Sequence, residues 1–366
     1  TLEVAQEMFE GNPVQYSSVL NAWNEVCVTN QCPLTATDIT IGQGQKVTYN
    51  VDQYIGGNII IENGGILTLK NANIFLKNGK FIQVKAGGRL NVTTVTFNTC
   101  DGIGAWDGII AEENSTIAIE DVKIYSAKIG IHFKGNLNLI DLSKLNITGN
   151  QFSDIGIKLS KEPGFIITAF NLSKGINISG CKTGLLCQNN VNLILRYATI
   201  SHCYKGIDVY KGDHTLDYIT LNNCKYPIYI TNTSISTISN NTILGDFNIG
   251  INCEKSGEVS INNNKIGSEA EPGGTGVRCY DLYFADVNNN PGIFASNGIQ
   301  VLYTYATLLA NTIDVKSSLS GIGILTNATE QSVIASNYIT TNGSFCGIFS
   351  RLNTDETIRN NEITFK

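Results

Sequence analysis

The chain has few charged residues, little proline, one methionine and no long apolar run. Charged residues make up 15% of its 366 residues and Pro accounts for only 6, whereas about 25% of a typical soluble domain is charged. The scarcity of Pro excludes a polyproline or mucin-type stalk, and no stretch reaches the roughly 18 consecutive apolar residues of a membrane-spanning helix. With a net charge of -6 and no Lys/Arg cluster, we expect no nucleic-acid partner and no direct membrane insertion.

The first residues also show no charged start followed by an apolar core, the pattern that would predict a signal peptide. The chain begins at Thr1 without an initiator Met. We therefore expect a processed or excised piece, with flanking domains of the same native chain as its neighbours.

A repeat of about 24 residues is present instead. Each unit contains a Gly followed by an aliphatic residue, except one unit in which Pro227 replaces the Gly. The phrase begins at Gly108, Gly130, Gly156, Gly184, Gly206, Gly250, Gly276, Gly298, Gly321 and Gly347. Between these positions, apolar and polar residues alternate over short runs such as Ile176-Asn177-Ile178, which is typical of short strands.

Units of this length that contain only strands and turns cannot bury an apolar face alone, so they must stack. The repeat therefore predicts an all-β fold, a parallel β-solenoid of about 12 to 14 coils. We expect residues 36–366 to form it, and residues 1–35 to be a short N-terminal capping segment, part of it helical. The chain's 43 Asn residues suit left-handed corners and stacked amide ladders.

The cysteines follow the same repeat. We expect two columns of small apolar core thiols, one of Cys100, Cys181, Cys203 and Cys224 and the other of Cys187, Cys253 and Cys279. Cys27 and Cys32 lie outside the repeat and could close a small disulfide loop in an oxidising compartment.

The residue two positions after the repeated Gly should point outward, which defines a candidate ligand-facing column. Its polar members, the candidate ligand-binding residues, are His132, Lys158, Asp208, Tyr229, Asn252, Arg278 and Gln300. The remaining positions hold Ile110, Leu186, Gly323 and Phe349. The most polar loop adds two further candidates, Asp213 and His214.

Catalysis would need more than this column offers. A glycoside hydrolase requires two carboxyl groups roughly 5 to 9.5 Å apart, and the column contains only Asp208. A calcium-dependent lyase requires clustered carboxylates beside a base. We therefore assign no catalytic residue and no metal ligand. Calcium is the one cofactor worth considering.

The Gly-Ile phrase followed by Asn-x-Ile resembles the right-handed parallel β-helix of the pectate-lyase-like superfamily. It is similar to the Asn- and Cys-rich β-helix proteins that Bacteroidetes-type bacteria export, often by type IX secretion. This resemblance implies a right-handed, single-stranded helix and a secreted or cell-surface location. Polygalacturonases of this fold carry an Asn-Thr-Asp motif, an Asp pair and Gly-His-Gly. Here only Asn353-Thr354-Asp355 is present.

Two classes of function remain open. The first is a structural and binding module, adhesin-like, that presents a polar face to a polysaccharide or a surface protein. The second is a polysaccharide lyase or glycoside hydrolase with loop-borne acids. A catalytically inactive, carbohydrate-binding form lies between the two. The regular repeat without a carboxylate constellation favours the first.

Overall fold

The computed structural model describes residues 36–100, 104–135, 139–161, 168–172, 175–316, 321–341 and 346–366. These residues contain strands and turns and no helix, and they form a right-handed parallel β-solenoid of about 13 turns. The predicted fold class is confirmed. The predicted cap, residues 1–35, lies outside the described residues, and so do Cys27 and Cys32.

Two compact units make up the chain. The first extends to Ser153, and the second runs from Asp154 to Lys366 and also takes in Lys134–Asn136 and Leu142–Lys144.

The first eleven strands are β1 (Ile39–Ile41), β2 (Lys46–Tyr49), β3 (Gln53–Ile55), β4 (Ile59–Ile61), β5 (Ile66–Leu76), β6 (Phe81–Val84), β7 (Arg89–Thr99), β8 (Gly108–Ala111), β9 (Thr116–Tyr125), β10 (Ile129–Lys134) and β11 (Leu139–Thr148). In the first unit, successive coils pair in parallel, as β4 with β6 and β5 with β7. Leu67, Leu90 and Ile117 follow one another in register and are fully buried.

The later strands are β12 (Ile155–Ser160), β13 (Thr168–Leu172), β14 (Ile176–Ser179), β15 (Thr183–Cys187), β16 (Val191–Arg196), β17 (Ala198–Ser201), β18 (Lys205–Tyr210), β19 (His214–Asp217), β20 (Thr220–Asn222), β21 (Tyr226–Thr231), β22 (Ile235–Ser239), β23 (Thr242–Leu244), β24 (Ile249–Glu254), β25 (Glu258–Asn262), β26 (Lys265–Ile266), β27 (Gly273–Tyr280), β28 (Phe284–Asn288), β29 (Gly292–Leu302), β30 (Tyr305–Leu309), β31 (Thr312–Val315), β32 (Ile322–Asn327), β33 (Val333–Ala335), β34 (Tyr338–Thr341), β35 (Cys346–Arg351), β36 (Thr357–Arg359) and β37 (Glu362–Phe365).

The second unit has three parallel faces, each with one strand per coil. The Gly face contains β12, β15, β18, β21, β24, β27, the end of β29, β32 and β35. The Asn face contains β14, β17, β20, β23, β26, the start of β29, β31, β34 and β37. The third face is a nine-stranded sheet of β13, β16, β19, β22, β25, β28, β30, β33 and β36.

Close packing between faces explains the repeated Gly. A Cβ added to Gly206 would lie 2.5 Å from the carbonyl oxygen of Pro227 in the next coil and 2.6 Å from a methyl group of Leu221 on the Asn face. Real Cβ atoms do not approach backbone that closely. Gly is therefore required because the two faces meet at this position.

A ladder of buried amides runs along one corner of the second unit. In the middle of the ladder, the side-chain oxygen of Asn311 accepts the backbone N–H and the side-chain N–H of Asn290 at 3.2 and 2.8 Å. The Asn311 amide in turn donates to Asn337 and to the carbonyl of Val287. The members that repeat this pattern are Asn241, Asn264, Asn290, Asn311, Asn337 and Asn361. Each follows a residue with positive φ, such as Asn289 at 53°. The predicted corner and ladder roles of Asn are confirmed.

The predicted thiol columns are confirmed with one correction. Six of the predicted core cysteines are free and buried, namely Cys181, Cys187, Cys203, Cys224, Cys253 and Cys279. Cys100 was expected among them, but it is disulfide-bonded. The other described cysteines are free thiols. The stacked position of a cysteine does not show whether its sulfur is a free thiol or part of a disulfide bond.

Candidate functional site

The outward column of the Gly face follows the predicted register over most of its length. In the second unit Asp208 pairs with Tyr229, Tyr229 with Asn252, and Asn252 with Arg278. Gln300 pairs with Leu325, so Leu325 occupies the position that we predicted for Gly323. The true repeat begins at Gly323, whose Cβ would meet the carbonyl of Gly347, and not at Gly321.

Glu254 organises this part of the column, although it was not among the predicted residues. It is the last residue of β24. Its carboxylate accepts hydrogen bonds from the Tyr229 hydroxyl at 2.9 Å, the Asn252 amide at 3.0 Å and the Arg278 guanidinium at 2.8 Å. Three of the predicted residues therefore converge on a carboxylate that already has three donors.

Lys205 joins the fourth predicted residue to this network. Its ammonium group lies 2.7 Å from the Asp208 carboxylate and 4.4 Å from the centroid of the Tyr229 ring. Burial, followed by the hydrogen bond to Glu254, raises the pKa of the Tyr229 hydroxyl. The charges of this surface are neutralised pairwise, which is the pattern of an ion network that fixes neighbouring coils to one another.

Burial also changes the interpretation of Asn252, which was expected to be exposed. Its side chain is only 1% exposed, because Glu254 and Arg278 cover it. It therefore acts as part of the network and presents no free surface. The other members of the column, Lys158, Gln300 and in the first unit His132, are half-buried. His132 pairs with Ile110 and Lys158 with Leu186.

The two residues of the predicted polar loop, Asp213 and His214, lie in different environments, one at a corner and the other in the interior. The Asp213 carboxylate accepts the backbone N–H of Ile235 in the next coil at 3.1 Å. His214 belongs to β19 and is 3% exposed, with its Nε2 atom 2.9 Å from the carbonyl oxygen of Lys211. Burial lowers the pKa of His214 to about 4. The structure thus places this imidazole in the core and not on a loop.

A second surface, on the nine-stranded sheet, was not found by sequence reasoning. The first outward position of four successive strands is occupied, in register, by Ile235, Glu258, Phe284 and Tyr305. Tyr283 lies beside this column and is 68% exposed, and its ring centroid lies 6.3 Å from that of Tyr305. The column spans about 14 Å, three steps of about 4.8 Å.

Three adjoining depressions follow this column. The largest, of about 390 Å³, is lined by Glu258, Tyr283, Phe284, Tyr305 and Gln331. A second of about 190 Å³ shares Glu258 and Phe284 with it and reaches Asp286. A third of about 200 Å³ shares Tyr305 and reaches Glu330. We call this surface the aromatic groove, defined by Ile235, Glu258, Tyr283, Phe284, Asp286, Tyr305, Glu330 and Gln331.

The groove differs from the Gly face in its free hydrogen-bonding capacity. The Tyr305 hydroxyl donates to Glu330 at 2.9 Å, which raises the pKa of that hydroxyl. The Asn288 amide donates to Asp286. In the part of the chain that the structure describes, no cation pairs with Glu258. Ring faces and acceptors with spare lone pairs are therefore open to a ligand.

Residues 143–344 match the model of a family described as periplasmic copper-binding protein (NosD). This chain belongs to the NosD family. The match covers more than half of the chain and lies within the region of the repeat, in agreement with the resemblance to pectate-lyase-like β-helix proteins. No curated protein and no solved structure matches the chain.

Family membership is consistent with a location in or beyond the cell envelope, since the NosD description names a periplasmic protein. The disulfide bond of Cys100 agrees with this, because disulfides persist in oxidising compartments. Within the described ranges, no helix has the length and apolarity that crossing a membrane requires.

Proposed function

We propose that this NosD-family chain is an adhesin-like binding module of the secreted or cell-surface class, and that it binds glycans through the aromatic groove. One observation carries the proposal. Tyr283 and Tyr305 project exposed rings beside a depression of about 390 Å³ that also contains the Glu258 carboxylate and the Gln331 amide. Exposed aromatic faces with a few polar groups between them are typical of ligand sites.

Sugars fit this combination for a physical reason. The C–H face of a sugar ring packs against an aromatic ring, while its hydroxyl groups donate to carboxylate and amide oxygens. The backbone groups of the sheet are already used, since β25 pairs with both β22 and β28. A ligand therefore meets only side chains here, and a peptide strand would find no free edge with which to pair.

The NosD description also names copper binding, and the described residues do not fit it. No group of three or more His, Cys, Asp or Glu among them could hold a metal ion. Copper favours thiolate or imidazole ligands, but burial raises the pKa of the Cys279 thiol to about 12, and His214 lies in the core. Burial likewise raises the pKa of the Cys187 and Cys253 thiols, and copper has no part in the proposal.

Binding to a panel of neutral, acidic and amine-bearing oligosaccharides tests the proposal by calorimetry. A Tyr283→Ala/Tyr305→Ala variant should lose about tenfold or more in affinity, because a ring contact is worth roughly 1 kcal/mol or more. The matched control is Tyr197→Ala/Tyr218→Ala, an exposed stacked pair outside the groove, with ring centroids 5.4 Å apart. It should bind normally. Absence of glycan binding, or equal losses in both variants, would contradict the proposal.

A glycoside hydrolase is the second candidate, favoured by one observation. Glu258 and Asp286 occupy outward positions on the neighbouring strands β25 and β28, offset diagonally, since Asp286 pairs with Ser260. With about 4.8 Å between strands and about 6.6 Å for two residues along a strand, diagonal neighbours lie roughly 8 Å apart, within the range of about 5 to 9.5 Å that separates the two carboxyl groups of glycosidases. New reducing ends from any oligosaccharide that binds, abolished in Glu258→Gln, would identify a hydrolase. Binding without cleavage would exclude the hydrolase and support the binding module.

A further inference from the structure

The groove has a charge that selects among glycans. Three carboxylates lie along it, those of Glu258, Asp286 and Glu330. Among the described residues that line the three depressions, none is Lys, Arg or His. The net charge of the whole chain, -6, has the same sign. A polyuronate bound here would bring like charges together.

We infer that the preferred ligand of the aromatic groove is a glycan with free amino groups, such as an oligomer of glucosamine, and not an acidic polysaccharide. The inference rests on the proposed function and names the class of sugar it serves. Tyr283 and Tyr305 supply faces for the sugar rings, and the carboxylates attract the ammonium groups.

Glu258 is the selecting residue in this arrangement. It is exposed within the register column, between Ile235 and Phe284. It lines two of the three depressions, those of about 190 and 390 Å³. Glu330 and Asp286 hold intramolecular hydrogen bonds with Tyr305 and Asn288. Glu258 has no cation beside it within the described ranges, so its charge is the one most available to a ligand.

A basic peptide could meet the same charges, but the geometry favours sugar. The ring planes of Tyr283 and Tyr305 are inclined to each other by 62°. Together with Phe284 these rings form the apolar floor of the groove. Both neighbours of β28 are already paired with it, so a peptide backbone would lie over the floor with its own N–H and C=O groups unmatched.

The test measures binding of three oligomers of equal length to the full chain, at low salt and mildly acidic pH. They are a glucosamine oligomer, its N-acetylated counterpart and an oligogalacturonate. We expect the glucosamine oligomer to bind about tenfold more tightly than the N-acetylated one, with the advantage shrinking as salt is added. The oligogalacturonate should bind most weakly. Equal or tighter binding of the oligogalacturonate would overturn the inference.

Variants separate the charge from the fold. Glu258→Gln should lower the ratio of glucosamine-oligomer affinity to N-acetylated-oligomer affinity about threefold or more, because the Gln amide oxygen still accepts a sugar hydroxyl but carries no charge. The control Glu271→Gln makes the same change in net charge at an exposed residue outside the groove and should keep the full preference. If Glu258→Gln behaves like the control, the inference fails while glycan binding stands.

Two further outcomes are distinct. If none of the oligomers binds, the proposed function itself fails. Binding of oligolysine to the same protein tests the alternative ligand class, a basic peptide. If oligolysine binds more tightly than the glucosamine oligomer, and Tyr283→Ala does not weaken either, the groove recognises charge alone and the glycan assignment is overturned.

Discussion

Replacing Asn311 by Ala should destabilise the second unit strongly, because the amide serves both neighbouring coils. Its side chain makes four hydrogen bonds: it accepts two from Asn290 and donates one each to Val287 and Asn337. Truncation leaves two donors of Asn290 and the carbonyl of Val287 without these partners, all in a region where Asn311 is only 1% exposed.

The expected loss follows from the cost of buried polar groups. Each unsatisfied donor or acceptor costs about 1 to 3 kcal/mol, so three give roughly 3 to 6 kcal/mol after allowing for some relaxation. A water molecule entering the vacated space would move the result towards the lower value. Even that value is a large fraction of the 5 to 15 kcal/mol of a typical domain.

Urea unfolding followed by circular dichroism measures the change. Asn171→Ala is the matched control, since Asn171 is exposed on β13; surface substitutions of this kind usually stay within about 0.5 kcal/mol. If Asn311→Ala loses no more than this control, the net contribution of the ladder is near zero, and the reasoning from unsatisfied donors is wrong. A large loss at Asn311 with none at Asn171 supports it.

Two further predictions concern the core. Burial lowers the pKa of His214 to about 4 from 6.5. The contribution of this group to the free energy of unfolding is therefore fully present above pH 6.5 and falls by about 3 kcal/mol as the pH drops towards 4. His214→Leu should flatten that part of the curve of unfolding free energy against pH, and an unchanged curve would refute the prediction. Gly206→Ala should cost about 1 to 3 kcal/mol because its Cβ meets the Pro227 carbonyl, whereas Gly42→Ala, whose nearest contact is 3.6 Å, should leave the thermal midpoint almost unchanged.

The repeat predicted the fold because each of its features has one geometric cause. Gly184 and Gly206 recur where two faces touch, and the Asn pairs recur where a positive φ precedes a ladder amide. Such local requirements recur in the sequence over many successive coils. One register error arose at Gly321, because Gly321-Ile322 and Gly323-Ile324 both fit the phrase and only the pairing with Gly298 decides between them.

The groove could not be predicted from the repeated Gly phrase, because that phrase marks only the Gly face. The strands that form it contain Glu-Val-Ser-Ile and Phe-Ala-Asp-Val with no Gly to mark them, so they could not be aligned by the repeated phrase. Alternation within each strand would have placed Glu258 and Phe284 outward. Their convergence also depends on the loop lengths between faces, which set the register. The ion network was missed for a related reason, since the strand ending at Glu254 could not be bounded from sequence.

Stacking in register also determines how the groove could change over evolution. Each of four successive coils supplies one residue to the column of Ile235, Glu258, Phe284 and Tyr305, and each coil contacts mainly its two neighbours. Duplication of a single coil would lengthen the binding surface by one spacing of about 4.8 Å and leave the distant coils intact. Ligand length in such a protein is therefore adjustable in whole steps, by counting coils, with no need to redesign a pocket.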